Sequence, residues 1–284
     1  MFIQYRPWLD CDRRCPFCYI TEKDRNISLA DKRLALMKLS CVLHYSSQGS
    51  DTIGLIGGEL FSDPELYREW VCVAESIRNA DHIKRVFVGT HLLCDVDLLL
   101  DFAHMLNKEV QICTSYDPKG RFLPGDYEKW KANIVEVQKE GYRVVVSSTF
   151  TEALFSDPNI PIEDVDYKLQ PIFYTEDWLK DVAARISTPE EYHSDLLTHI
   201  APGILAQRQK ALDWFNAHKD IANDYSRYDD KHATILYDFK DGEYVQSSFV
   251  CTNYLAPCGH PMIARCYADS DKCTMCDAKA VSEL

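Results

Sequence analysis

Six short runs of apolar residues, alternating with amphipathic stretches, constrain this 284-residue chain more than any other feature. The runs are Phe2 to Tyr5, Thr52 to Ile56, Arg85 to Gly89, Glu109 to Thr114, Arg143 to Ser148 and Lys168 to Phe173. Strands separated by helices pair parallel, so the pattern predicts an α/β fold with one parallel sheet. Ser28 caps a first helix carrying Leu29, Leu36, Leu39 and Leu43, and Asp63 with Pro64 starts a second carrying Leu66, Trp70, Ala74 and Ile77. A third runs through Tyr127, Trp130, Ile134 and Val137 and stops at Gly141. In such folds the carboxyl ends of the strands carry the chemistry.

Between the first strand and the first helix lies Cys11-Asp-Arg-Arg-Cys15-Pro-Phe-Cys18, three thiols with no fourth before Cys41. A structural zinc site needs four ligands, so a tight set of three suggests a metal centre with one open position. A zinc knuckle completed by Cys41 or His44 is the competing reading. The second strand ends in Gly57-Gly58-Glu59, where glycines permit a close approach and a carboxylate is available.

The spacing Cys-x3-Cys-x2-Cys, with Phe17 before the last cysteine, resembles the signature of the radical S-adenosylmethionine (SAM) superfamily. Gly57-Gly58-Glu59-Leu60 is similar to that family's Gly-Gly-Glu-Pro motif, with Leu60 in place of Pro. The resemblance implies a partial (β/α)6 barrel over residues 1–175 and a [4Fe-4S] cluster on Cys11, Cys15 and Cys18. It also implies SAM bound to the fourth iron, cleaved reductively to a 5′-deoxyadenosyl radical that abstracts hydrogen from a substrate. An electron donor such as a flavodoxin or ferredoxin follows. Phe17 would lie against the adenine, and Gly57, Gly58 and Glu59 would hold the methionine end, Glu59 accepting from its ammonium. Strand-end positions come next: Thr90 and His91, then Ser115, Tyr116 and Asp117, then Ser147, Ser148 and Thr149, and last Gln170. Of these, Ser115, Asp117 and Ser147 suit the ribose hydroxyls and methionine carboxylate. Arg121, in a stretch that also reads as a plain turn, could meet a substrate carboxylate or phosphate.

Composition narrows the function further. With 31 basic against 44 acidic residues the net charge is −13, which argues against a broad nucleic-acid-binding face. A local excess remains, seven basic against five acidic residues from Arg6 to Arg33. These side chains either pair with Asp10, Asp12, Glu22 and Asp24 or attract an anionic substrate or the reductant. No apolar run is long enough to span a membrane, and the amino terminus is unlike a signal peptide, so a cytoplasmic enzyme with free thiols is expected. Cys41, Cys72, Cys94 and Cys113 are expected to be small core residues.

Residues 176–231 read as a helical segment packed on the barrel. Residues 232–284 read as a small cysteine-rich domain, opening with a hairpin at Asp241-Gly242. Its metal ligands would be four of Cys258, His260, Cys266, Cys273 and Cys276, holding zinc or an auxiliary iron-sulfur cluster, with Cys-Gly-His favouring zinc. The substrate is not legible; a nucleotide or nucleic-acid base, an amino-acid adduct and a peptide are the classes considered. The alternative of another kind is a noncatalytic iron-sulfur or zinc protein that senses or binds.

Overall fold

The computed structural model describes residues 2–15, 25–46, 50–117, 121–149, 165–170 and 234–250. Strands β1 (Phe2–Arg6), β2 (Thr52–Leu55), β3 (Arg85–Gly89), β4 (Glu109–Tyr116) and β5 (Arg143–Thr149) form where the apolar runs predict them, and β6 (Asp166–Gln170) starts two residues before its expected run. Each pairs parallel with the next, so their order in the sheet is their order in the chain. This is the arrangement of a partial (β/α)6 barrel. Among the described residues the sheet is open, ending at β6 on one side.

The helices follow local signals. Helix α1 (Leu29–Ser46) starts where the Ser28 hydroxyl accepts the Asp31 N–H at 3.1 Å and donates to the Asp31 carboxylate at 2.7 Å, a reciprocal cap. Asp63 caps the turn Pro64–Leu66 by accepting the Glu65 N–H, and α2 (Tyr67–Arg78) continues from it. Helix α4 (Asp126–Lys139) ends at Gly141, whose φ of +85° suits only the residue without a side chain.

Helix α3 (Val96–Leu106) is not among the expected helices. Its Leu98, Leu99 and Leu100 are buried in succession, along with Phe102, Ala103 and Leu106. Its exposed Asp97, Asp101 and His104 recur at helical spacing, and the Asp95 carboxylate caps it by accepting the Asp97 N–H, so the local signal is present in the sequence. The core between helices and sheet is rich in aromatic rings. Trp70 stacks on Phe61 at 4.7 Å and meets Phe102 edge-on at 5.1 Å, all three fully buried. Cys94 is buried as expected and Cys113 is half-buried, but Cys41 and Cys72 are exposed. Cys41 and Cys72 sit on the outer faces of α1 and α2, where apolar neighbours in sequence do not imply burial.

The hairpin also forms, as β7 (Thr234–Lys240) and β8 (Glu243–Val250) joined by Asp241 and Gly242, both at positive φ as a tight hairpin turn requires. Its strands are hydrogen-bonded into the barrel sheet. β7 lies parallel to β1 on the side away from β2, and β8 pairs antiparallel with β7 as the outer strand. Register places Arg6 opposite Asp238. The Arg6 guanidinium donates to both carboxylate oxygens, through Nε to Oδ1 and through Nη2 to Oδ2 at 2.7 Å. Tyr5 stacks on Tyr237 at 5.4 Å and meets Tyr244 edge-on. The helical segment 176–231 and the cysteines beyond Val250 lie outside the described residues.

Asp238→Ala removes the carboxylate that faces a guanidinium only 6% exposed. We expect it to lower unfolding stability by about 3 kcal/mol, measured by chemical denaturation. Lys38→Ala, which breaks the exposed pair with Glu243, should leave the midpoint where it is.

Candidate functional site

The chain leaving β1 does not part from β2 at the strand end. Hydrogen bonds continue from Ile56 N–H to Tyr5 O (3.0 Å), Gly58 N–H to Trp8 O (3.0 Å) and Glu59 N–H to Asp10 O (2.8 Å). The two backbones are so close that side chains do not fit between them. A Cβ on Gly57 would lie 2.3 Å from Trp8 O, and one on Gly58 would lie 1.9 Å from Asp10 O. Gly57 also has φ +154°, a conformation that disfavours L side chains. What approaches these glycines is therefore the chain's own segment leading into Cys11.

Other groups hold that segment in place. The Trp8 indole N–H donates to Glu59 O at 2.9 Å, and its ring meets Trp70 edge-on at 6.1 Å. Lys32 pairs with Asp10 at 2.7 Å and lies over the Trp8 ring. Arg25 donates to Cys11 O (3.1 Å) and Arg13 O (2.6 Å), and Arg14 donates to Cys11 O (2.7 Å). Arg13 pairs with Asp126 in the first turn of α4. Most of the local basic excess is thus spent on intramolecular ties, of which Asp10 and Asp12 take a share.

Cys11 and Cys15 are half-buried cysteines on this loop; Cys18 and Phe17 lie outside the described residues. Burial pushes the Cys11 thiol up, and the Asp12 and Glu59 carboxylates push the same way; the Arg13 N–H and the Arg25 charge oppose them. Thiols on one cation-rich loop form a donor set that fits an iron-sulfur cluster. Cys41, the next cysteine along the chain, is exposed on α1.

Glu59 is fully buried. Its carboxylate accepts from Phe61 N–H (3.0 Å), the Thr90 hydroxyl (2.9 Å) and His91 N–H (2.8 Å). A carboxylate can be buried only when such donors replace its water. It thereby locks the end of β2 to the end of β3. From His91 the connection continues outward: Nδ1 accepts the Leu93 N–H (2.9 Å), and Nε2 lies 2.7 Å from Asp12 Oδ1. With Nδ1 accepting, Nε2 carries the proton and donates to Asp12. This bond, ahead of the attraction of Arg13, holds the Asp12 carboxyl down to about 2. Cys11, Asp12 and His91 each place a ligand atom within 4.8 Å of the others.

The remaining strand-end residues surround the same mouth. Thr90 and Asp117 are buried, and Ser115 and Ser147 lie opposite each other in the β4–β5 register with hydroxyls 3.4 Å apart. Ser147 donates to Thr114 O at 3.1 Å. Tyr116 faces away, stacked on Trp130 at 5.7 Å. A cleft of about 480 Å³ opens beside the loop, with Asp12, His91, Cys94, Asp95 and Lys129 in its wall. Position at a strand end points to Thr90 and His91 from sequence. The Asp12–His91 contact does not show there, because the partners are far apart in the chain.

No family model and no curated protein matches this chain. Among solved structures it is similar to native anSMEcpe with bound AdoMet and Cp18Cys peptide, at 13% identity and TM-score 0.42 over 72% of this chain and 61% of that chain. It is similar to methylornithine synthase (PylB) at 13% identity and TM-score 0.42, over 73% of this chain and 68% of that chain. Against anSMEcpe with bound AdoMet the chain spans 59% of that protein's length. At this distance the likeness decides nothing about chemistry, which rests on the chain's own residues.

Two outcomes follow from the site's construction. Gly58→Ala places a Cβ inside Asp10 O, so the segment carrying Cys11 must move. Sequence alone expects a larger residue at Gly58 to weaken cofactor binding while sparing iron content. The structure instead predicts a loss of more than about 3 kcal/mol and of iron loading together, whereas Gly89→Ala, with its nearest contact at 3.4 Å, should be mild. Thermal unfolding and iron analysis of the two variants test this. The Asp12 tie sets the second outcome. Its folded pKa lies below the ordinary 3.8, so its stabilisation is complete above that value and disappears as pH falls toward about 2. Wild type should exceed Asp12→Asn in stability near neutrality, with the gap closing between those two values in acid titrations of unfolding.

Proposed function

We propose that this chain is a radical SAM enzyme. The observation that carries the reading is the junction of the cysteine loop with Gly57-Gly58-Glu59, backbone on backbone, at the carboxyl ends of the first two strands of a parallel partial barrel. A zinc knuckle has no need of a strand end fitted to it in this way. Cys11, Cys15 and Cys18 would hold a [4Fe-4S] cluster. When bound, the cluster supplies the electron that splits SAM into methionine and a 5′-deoxyadenosyl radical, which takes hydrogen from the substrate.

The protein's own contribution is orientation. Arg25 and Arg14 fix the carbonyls of the loop, and Glu59 supports it from beneath through Thr90 and His91. Gly57, Gly58 and Glu59 would hold the methionine end of SAM, the Glu59 carboxylate having acceptor capacity beyond its three donors, with Thr90 beside them. Ser115, Asp117 and Ser147 take the ribose hydroxyls and carboxylate, and Phe17 lies against the adenine. Electrons come from a flavodoxin or ferredoxin. The product is a modified nucleotide or nucleic-acid base, amino-acid adduct or peptide. Four of Cys258, His260, Cys266, Cys273 and Cys276 hold a zinc ion that staples the carboxy-terminal segment.

Anaerobically reconstituted protein should cleave SAM to 5′-deoxyadenosine and methionine under strong reductant, and Cys15→Ala should abolish this. The same preparation should contain about four irons and one zinc per chain. A full cluster that neither binds nor cleaves SAM would instead identify a noncatalytic iron-sulfur protein, and about eight irons without zinc would mean an auxiliary cluster.

A further inference from the structure

Cys11, Asp12 and His91 gather a sulfur, a carboxylate oxygen and a ring nitrogen within 4.8 Å of one another where the cysteine loop meets the end of β3. A three-thiolate cluster has no use for the nitrogen, which comes from another element of the fold. One sulfur, one nitrogen and one oxygen donor are the ligand types of zinc, whose bonds of about 2.0 to 2.3 Å set tetrahedral neighbours about 3.3 to 3.8 Å apart. Reaching that spacing parts His91 Nε2 from Asp12 Oδ1, now 2.7 Å apart, and draws in the donors that stand farther off, none beyond 4.8 Å, by shifts of about an ångström. Three protein ligands leave a fourth position for water or a small ligand.

His91 is built as a metal-binding histidine is. It is only 6% exposed, and its main-chain N–H is anchored on Glu59. Its Nε2 points at Asp12 while its Nδ1 lies 3.1 Å from Glu59 Oε2. A carboxylate behind the far nitrogen of a ligating imidazole fixes the ring and raises its basicity. Glu59 is fully buried, and Thr90 and Phe61 hold it in turn.

We propose that Cys11, Asp12 and His91 form a site for one divalent transition-metal ion, of which zinc suits the donor set, occupied when Cys11 is not engaged in a cluster. On binding, the Cys11 thiol proton is released to solvent as the sulfur–metal bond forms. The imidazole proton moves from Nε2 to Nδ1, where Glu59 accepts it and the Leu93 N–H gives up its place. Asp12 contributes its carboxylate in place of its hydrogen bond to His91. The site does not depend on the radical SAM reading; Cys11 serves one metal centre or the other.

The test uses the full-length chain with Cys15→Ser and Cys18→Ser, free of iron and sulfide, titrated anaerobically with Co2+. Thiolate-to-cobalt absorption and equilibrium dialysis report the metal bound. This chain should hold one more cobalt than the same chain with Cys11→Ser added, and Zn2+ should displace it. Adding His91→Ala or Asp12→Asn should weaken that binding by more than about tenfold. Asp12 is more than half exposed, so Asp12→Asn tests the site even if the buried His91 variant fails to fold. Cobalt affinity unchanged by Asp12→Asn in a chain with wild-type circular dichroism, or no cobalt beyond the Cys11→Ser level, would overturn the proposal.

Discussion

The fitting of the Trp8–Asp10 backbone against Gly57–Glu59 is the constraint on which the rest of the site depends. Two peptide segments that continue a parallel ladder past the ends of their strands can approach this closely only if one of them lacks side chains. Gly57 and Gly58 meet that requirement, and each later feature inherits it. The Trp8 indole reaches Glu59 O because the segments are adjacent, and the Glu59 carboxylate reaches Thr90 and His91 because its own backbone is held by Asp10. Cys11 comes one residue after the last of these hydrogen bonds.

Glu59 links the levels of the structure. A fully buried carboxylate is costly unless donors surround it, and here the main-chain N–H groups of Phe61 and His91 and the Thr90 hydroxyl do so. The bonds are mutual: removing the carboxylate would leave buried N–H groups without their acceptor. A core of Phe61, Trp70 and Phe102 lies next to this network and contributes its apolar burial. Polar precision at the mouth is therefore supported by aromatic packing immediately beside it.

Much of the barrel was legible in the sequence because its signals are local. Apolar runs gave the strands, Ser28, Asp63 and Gly141 bounded helices, and Asp241-Gly242 marked a turn. Helix α3 was missed although its signals are just as local, an Asp95 cap and an exposed face of Asp97, Asp101 and His104. The loop cysteines and the Gly-Gly-Glu turn could be singled out by spacing, but not the reason for the glycines. That reason is a contact with residues about fifty positions earlier, which no local pattern encodes. The attachment of β7 to β1, the pairing of Arg6 with Asp238 and the meeting of Asp12 with His91 are long-range in the same sense.

The position of β7 bears on the order of biosynthesis. β1 is made well before β7, yet among the described residues it is an inner strand, with β2 on one side and β7 on the other. Arg6 waits for a partner 232 residues downstream. Domains tend to fold from the amino terminus as they emerge, and strand pairing over such a separation is slow. The strand from which the cysteine loop departs therefore keeps one open edge until β7 has left the ribosome. The loop that carries Cys11 and Cys15 thus hangs from a strand that gains its second neighbour only after those residues have been translated.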